Sequence, residues 1–222
     1  MRIRWFGQSA FLLAGGEHRV FIDPFGDVSI LAQRGLRFDY PPIEDVTADL
    51  VLVTHEHFDH NAAEVVGGSP HVIRSTAGRF DSPVGEVLAV ASEHDEVAGT
   101  ARGPNTIFVF TFDGLRVAHF GDFGQLAMRD EQAEVIAQVD LLFLPVGAGP
   151  TIGPEQASAI VERLSPRWVV PMHYRTHRIG FLETVDGFLE RMPHVQRLED
   201  TGFDTDALAS GQRPLVVVPA VP

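Results

Sequence analysis

The segment Asp-Leu-Val-Leu-Val-Thr at residues 49–54 runs straight into His55-Glu56-His57-Phe58-Asp59-His60, and this junction constrains the fold more than any other feature of the chain. A continuous, β-branched run of that length reads as a strand buried on both faces. Its polar continuation must then emerge at the rim of a covered sheet. Side chains two apart on a strand point the same way, so His55 and His57 can converge on one ion. The turn at Phe58 and Asp59 lets Asp59 and His60 face a second ion beside it. Ten histidines and 16 aspartates in 222 residues would generate His-x-His-x-Asp-His by chance in about one chain per thousand. The alternative, a solvated histidine-rich turn, has correspondingly little in its favour.

Around this junction the pattern passes from antiparallel to β/α signals. Arg2 to Trp5, Ala10 to Leu13 and Arg19 to Ile22 are short strand-like runs, with Gly15-Gly16 as the hairpin turn between the second and third. Pro24 to Asp45 holds Gly26, Gly35 and Pro41-Pro42, yet also Phe25, Ile30, Leu31, Leu36, Phe38 and Tyr40, which predicts a packed flap rather than a mobile tail. A helix is expected directly after the histidine cluster, with Asn61 as N-cap and Glu64 three residues later. Asp113-Gly114, between Asn105 to Phe112 and Leu115 to Phe120, is a strong two-residue hairpin signal. Further helices are predicted over 125–138, 154–164 and 182–192, and strands over 141–144, 168–170 and 215–218, while 201–213 reads as polar and irregular. No linker or repeat divides the chain, so residues 1–222 are expected to form one domain, a sheet-on-sheet core covered by helices.

Composition bounds the chemistry. Cysteine is absent, which excludes disulfides, thiolate metal sites and cysteine nucleophiles, so any metal must be held by His and carboxylate. All 17 basic residues are Arg, which removes a Lys Schiff base and a Walker-type lysine. A formal charge of −13 makes long nucleic acid a poor partner. A small anion can still bind where a metal reverses the local sign. No apolar run approaches the roughly 18 residues needed to span a bilayer. The opening Met1 to Phe6 lacks the apolar core of a signal peptide, so the cytoplasm is the expected compartment.

Other candidate donors also fall at strand ends: His94 after Val87 to Val90, Asp122 after Leu115 to Phe120, and His173 after Trp168 to Met172. Together with Asp23 in Ile-Asp-Pro, Thr-His-Glu-His-Phe-Asp-His, Glu-His-Asp, Phe-Gly-Asp and Pro-Met-His-Tyr, these make a sequence that resembles the metallo-β-lactamase superfamily of binuclear metal hydrolases. Arg102-Gly103-Pro104-Asn105-Thr106 and Pro145-Val146-Gly147 narrow the resemblance to small bacterial metal-dependent hydrolases similar to ascorbate-6-phosphate lactonase. The resemblance implies an α+β fold, the four-layer αββα sandwich, and two divalent metal ions, Zn or Mn, with Fe also compatible with an all N and O donor set.

Carried over by residue, it implies that His55, His57 and His94 hold one metal, that Asp59, His60 and His173 hold the other, and that Asp122 bridges them. His119, three residues before Asp122, competes with His94. Asp23 is implied to accept the second ring N–H of a ligand histidine. Arg102, on the same loop as Asn105, is either an exposed loop residue or an anion contact. In the stretch from His173 to Arg178, Tyr174 or His177 is available to donate a proton or hydrogen bond, and Arg175 or Arg178 to meet a phosphate. His18, His71 and His194 read as structural or surface residues. The implied mechanism uses a water shared by both metals, its pKa lowered from about 15.7 to about 7, with Asp59 or a second water protonating the leaving group. The expected function is hydrolysis of a small, anionic ester, lactone or phosphodiester, by a chain that forms a homo-oligomer as the lactonase resemblance suggests. The competing expectation is a noncatalytic metal-binding or metal-sensing protein using the same ligands.

Overall fold

Fourteen strands and four α-helices are present among the described residues, 1–209 and 211–222, of a computed structural model. In chain order the strands are β1 (Arg2–Gly7), β2 (Ala10–Gly15), β3 (His18–Ile22), β4 (Leu50–Val53), β5 (His71–Arg74), β6 (Gly78–Ser82), β7 (Gly85–Glu93), β8 (Pro104–Phe112), β9 (Leu115–His119), β10 (Leu141–Pro145), β11 (Trp168–Met172), β12 (His194–Arg197), β13 (Gly202–Asp204) and β14 (Leu215–Val218). The helices are α1 (Ser29–Gln33), α2 (Asp130–Ile136), α3 (Pro154–Leu164) and α4 (Asp186–Leu189). No helix among the described residues is long and apolar enough to cross a membrane.

The strands form two mixed sheets, ordered β13-β1-β2-β3-β4-β5 and β12-β14-β11-β10-β9-β8-β7-β6. The buried-strand pattern shows how the first sheet serves two cores. Val20 and Ile22 on β3, and Leu50 and Leu52 on β4, join the core between the sheets, whereas Phe21, Val51 and Val53 face a second cluster on the outer side. Phe11 of β2 meets Phe143 of β10 across the sheets at 4.5 Å between ring centroids. The outer cluster is roofed by the segment before β4: Phe25, Leu31, Phe38, Tyr40 and Ile43 are buried there, the packed flap that its apolar content predicts. Flap residues are laced to a later loop, with Asp39 N–H donating to Arg178 O and Gly180 N–H to Arg37 O. On the second sheet, α3 connects the parallel pair β10 and β11 and buries Ala157, Ile160, Val161 and Leu164. The layers are those of the αββα sandwich.

Several local expectations are corrected. The helix expected at Asn61 is a 3-10 turn over Ala63–Val65, because the Asn61 amide donates to Glu56 instead of capping, and Gly67 and Gly68 follow at once. The helix expected over 125–138 shortens to α2, since Gln125 is tied side chain to side chain to Gln132 and accepts Glu93 N–H. The helix expected over 182–192 shortens to α4. Its first residues are spent on extended bonds, Glu183 N–H to Gly147 O and Arg175 N–H to Glu183 O, both 2.7 Å. The β2–β3 turn is Gly16-Glu17, one residue later than read, because Gly15 pairs with His18. The polar stretch 201–213 contributes β13, which covers the edge of β1.

Phe143 is fully buried between the sheets. Phe143→Ala is expected to cost about 3–5 kcal/mol in urea unfolding, against under about 0.5 kcal/mol for Val195→Ala on the exposed edge strand.

Candidate metal centre

Strand direction gathers the candidate ligands. β3 and β4 are parallel neighbours, so Asp23 and His55, just past their ends, share one rim of the first sheet. β9, β10 and β11 are parallel, and β7 runs in the same direction as β9 because β8 is antiparallel to both. His94, Asp122 and His173 therefore emerge on one rim of the second sheet, the usual location of sites in sheets with parallel strands.

Four histidines are oriented the same way. His60 Nδ1 lies 3.0 Å from Asp23 Oδ2, His94 Nδ1 3.0 Å from Pro150 O, His55 Nδ1 3.1 Å from Thr54 Oγ1, and His173 Nδ1 3.4 Å from Thr151 Oγ1. The acceptors at Asp23 and Pro150 assign the proton of those two rings to Nδ1. Asp23 is itself held, accepting Thr54 N–H at 2.8 Å and Thr54 O–H at 2.7 Å. That hydroxyl proton is committed to Asp23, so Thr54 Oγ1 can only accept from His55. The Nε2 atoms are left to face inward. Those of His173, His94 and His60 lie 3.1, 3.2 and 3.4 Å from the Asp122 carboxylate. Donor atoms of His55, His57 and His94 lie within 4.8 Å of one another, as do those of His55, His60 and Asp122. Asp59 joins at the open side, 3.7 Å from His60 Nε2.

The electrostatics match a place for positive charge. Burial alone would raise Asp122, but His173 and His60 beside it hold its carboxyl well below the usual carboxylate range. Burial alone would lower His60, but Asp122, Asp59 and Asp23 push it well above its ordinary value. Burial, with His60 next to it, drives His55 well below. His55 Nε2 and His60 Nε2 are buried without a hydrogen-bond partner, an arrangement that costs free energy unless a cation accepts their lone pairs. The residues present therefore fit divalent cations.

The backbone is bent to achieve this. Asp23 and His173 sit at φ 51° and 52°, a left-handed conformation that costs energy in a residue with a side chain. Gly121, at φ 54°, is required by contact as well, since a Cβ there would lie 2.4 Å from Asn105 Oδ1 and 2.6 Å from Thr54. Gly124 lets the loop after Asp122 touch that of His94, where a Cβ would stand 2.4 Å from the His94 carbonyl carbon.

Other sequence candidates fall elsewhere. His119 has both nitrogens engaged, Nε2 donating to Ser9 O at 3.0 Å and Nδ1 accepting Gly121 N–H at 3.2 Å, and lies behind the cluster. Asn105 is buried and holds no substrate position: Oδ1 accepts Asp122 N–H while Nδ2 donates to Ser92 Oγ and Phe120 O. Tyr174, expected as a proton donor, is turned into the core, its ring 5.6 Å from Trp5, and burial raises its hydroxyl pKa. His177 is exposed, and Arg178 is spent on Pro222 O and Asp39 O. Arg102 is exposed on the loop after β7. Sequence reasoning missed Ser9, whose hydroxyl donates to Asp122 Oδ1 at 3.4 Å, and also Thr54, Pro150 and Thr151. Only Thr54, adjacent to the histidine motif, carried a signal that could have found it.

The chain matches the family profile described as "Beta-lactamase superfamily domain" over residues 2–173, a span that contains every residue of this cluster. It is 31% identical to a UPF0173 metal-dependent hydrolase of Thermus thermophilus over 237 aligned positions, covering 96% of this chain and 97% of that one. A UPF0173 metal-dependent hydrolase of Thermococcus kodakarensis is 29% identical, covering 79% and 85%. Among solved structures, one from Thermotoga maritima, described as a Zn-dependent hydrolase of the metallo-beta-lactamase superfamily, aligns at a TM-score of 0.78 with 29% identity and 99% of both chains covered.

Exchange of His94 against His119 tests which one is a ligand. His94→Ala is expected to lower the zinc retained after dialysis at least about twofold, while His119→Gln keeps the wild-type content and loses thermal stability. Atomic emission on the purified variants decides, and equal retention in both would remove His94 from the ligand set.

Proposed function

The chain belongs to the metallo-β-lactamase superfamily, in its branch of small metal-dependent hydrolases, and on that premise we propose that it hydrolyses a small, anionic ester, lactone or phosphodiester with two divalent cations, Zn or Mn. The observation that carries this reading is the shared orientation of His55, His60, His94 and His173, each with Nδ1 anchored, the Nε2 atoms of His60, His94 and His173 lying 3.1–3.4 Å from the buried carboxylate of Asp122. His55, His57 and His94 are the proposed ligands of one ion, Asp59, His60 and His173 of the other, with Asp122 common to both. Bound there, the cations would lower the pKa of a shared water toward about 7 and so supply a nucleophile at neutral pH.

The chain's own residues do the rest. Asp23 and Thr54 fix the His60 and His55 rings, which preorganises the site and limits reorganisation during reaction. Ser9 and Asn105 hold Asp122 from the side chain and the backbone. Asp59, whose side chain keeps 17% of its surface exposed, is the carboxylate at the open side, able to pass a proton to the leaving group. Tyr174 has no part in the step. An anionic substrate is favoured because two bound divalent cations would outweigh the Asp59 and Asp122 carboxylates and leave local positive charge in a chain of net charge −13.

His57→Ala and Asp122→Ala are each expected to lower kcat/KM at least about 100-fold on whichever of bis(p-nitrophenyl) phosphate and a sugar-phosphate lactone the wild type prefers, with the far-UV circular dichroism unchanged. EDTA should remove the wild-type activity and added Mn or Zn restore it. Near wild-type rates in both variants would sink the hydrolase reading. Bound metal without turnover on any ester, lactone or phosphodiester would favour the noncatalytic one.

A further inference from the structure

His119, the last residue of β9, is fully buried in apolar surroundings, its ring centroid 6.1 Å from that of Phe11 and 5.6 Å from that of Phe143. An imidazole in such a place costs more than an aliphatic side chain unless both nitrogens are satisfied. Both are, by backbone groups of two different loops. Nε2 donates to Ser9 O in the turn between β1 and β2, and Nδ1 accepts Gly121 N–H in the loop after β9. Neither partner can exchange roles, because a carbonyl only accepts and an amide N–H only donates, so the ring proton is fixed on Nε2. Burial lowers the pKa of the ring below its ordinary value, which favours the one-proton form that this pattern needs.

The two groups that the ring joins both bear on Asp122. Gly121 precedes it in the chain, and the Ser9 hydroxyl donates to its Oδ1 at 3.4 Å. The Asp122 loop is otherwise pinned from its own sheet: Phe120 N–H donates to Phe143 O, Asn105 Nδ2 donates to Phe120 O, and Asn105 Oδ1 accepts Asp122 N–H. The Ser9 turn has its own ties at the rim, since Gln8 O accepts His173 N–H at 3.4 Å and the Trp5 indole N–H at 3.1 Å. Gln8 sits at φ 50°, a left-handed conformation that persists only where the surroundings hold it. His119 is therefore a strut from the Asp122 loop of the second sheet to this turn of the first. Imidazole has no internal torsion, so a rigid ring sets the separation of Ser9 O from Gly121 N, and with it the place of the Ser9 hydroxyl against the carboxylate.

Resting on the reading of the cluster as a metal centre, we propose that His119 is a positioning residue of that centre: it holds the Ser9 turn against the Asp122 loop and so fixes the carboxylate that the two cations share. It touches neither cation nor substrate and acts through Ser9. Such a site must be held to within about 0.5 Å, so loss of the strut is read in the affinity for the more weakly held cation.

Zinc dissociation constants, measured by chelator competition, test this. Leucine fills the place of the ring and bonds to nothing; asparagine keeps an acceptor for Gly121 but falls short of Ser9; glutamine can set an N–H donor at the depth of Nε2 and keep the Ser9 tie. His119→Leu, His119→Asn and Ser9→Ala are each expected to raise the dissociation constant of the more weakly held zinc at least about tenfold, and His119→Gln to stay within about threefold of wild type. Combining His119→Leu with Ser9→Ala should add less than about threefold to the larger single effect, because both changes break one chain of contacts. Ile160→Ala, buried on α3 outside this chain of hydrogen bonds, should lower the melting temperature and leave zinc affinity unchanged. Wild-type affinity in both His119→Leu and His119→Asn, a His119→Gln as weak as they are, additive losses in the double variant, or an equal loss in Ile160→Ala each overturns the inference. A wild type that takes up no zinc refutes the metal reading and the inference with it, whereas a wild type that binds zinc no better than His119→Leu and His119→Asn refutes the inference alone.

Discussion

A carboxylate buried among imidazoles governs this structure. Asp122 has almost no contact with water, and burying it uncompensated would cost several kcal/mol. It is tolerated because His60, His94 and His173 turn their Nε2 atoms toward it, and because Ser9 and Asn105 hold it from two other sides. His60 is fixed in turn by Asp23 just past β3, and His94 and His173 by Pro150 and Thr151 of the loop after β10. The network spans both sheets, so the sandwich and the site are one construction: loosening the packing of Phe11 on Phe143 would let apart the rims that carry Ser9 and Asp122.

The cost of the site is visible in the backbone. Asp23 and His173 adopt left-handed conformations, and Gly121 and Gly124 are needed where loops approach too closely for a Cβ. Strain of about 1–3 kcal/mol at such a residue persists only where the surroundings over-determine it. Here the surroundings are extensive: β3 and β4 are buried from end to end apart from the first turn of β3, and the flap seals their outer face. Rigid strands thus end in the short loops that carry the candidate ligands, His94 directly after β7 and Asp122 after β9.

What the sequence made legible follows from which signals are local. His55 to His60 stood out because a period of two and a buried strand act over a few residues, and Asp113-Gly114 because its turn needs positive φ at both positions, which it has at 52° and 77°. His94, Asp122 and His173 stood out through their common place at strand ends, and Asp23 through the family resemblance. Tyr174 was misread because adjacency to a candidate ligand says nothing about direction: the left-handed turn at His173 sends the next side chain into the core with Trp5. Asn105, singled out as a support or substrate residue on the loop of Arg102, serves Asp122 from inside β8. Partners such as Ser9, 113 residues from Asp122, leave no mark that a single sequence can show. The short edge strand β13 was hidden for a similar reason, since its pairing depends on the open edge of β1 rather than on its own three residues.

The central claim is that this rim binds two cations through a common Asp122. Anomalous diffraction from crystals of the zinc-loaded protein, collected above and below the zinc edge, tests it most directly. The account predicts two peaks roughly 3.5–4 Å apart, one contacted by His55, His57 and His94, the other by Asp59, His60 and His173, with Asp122 touching both. A single peak, or peaks that do not contact Asp122, would contradict it.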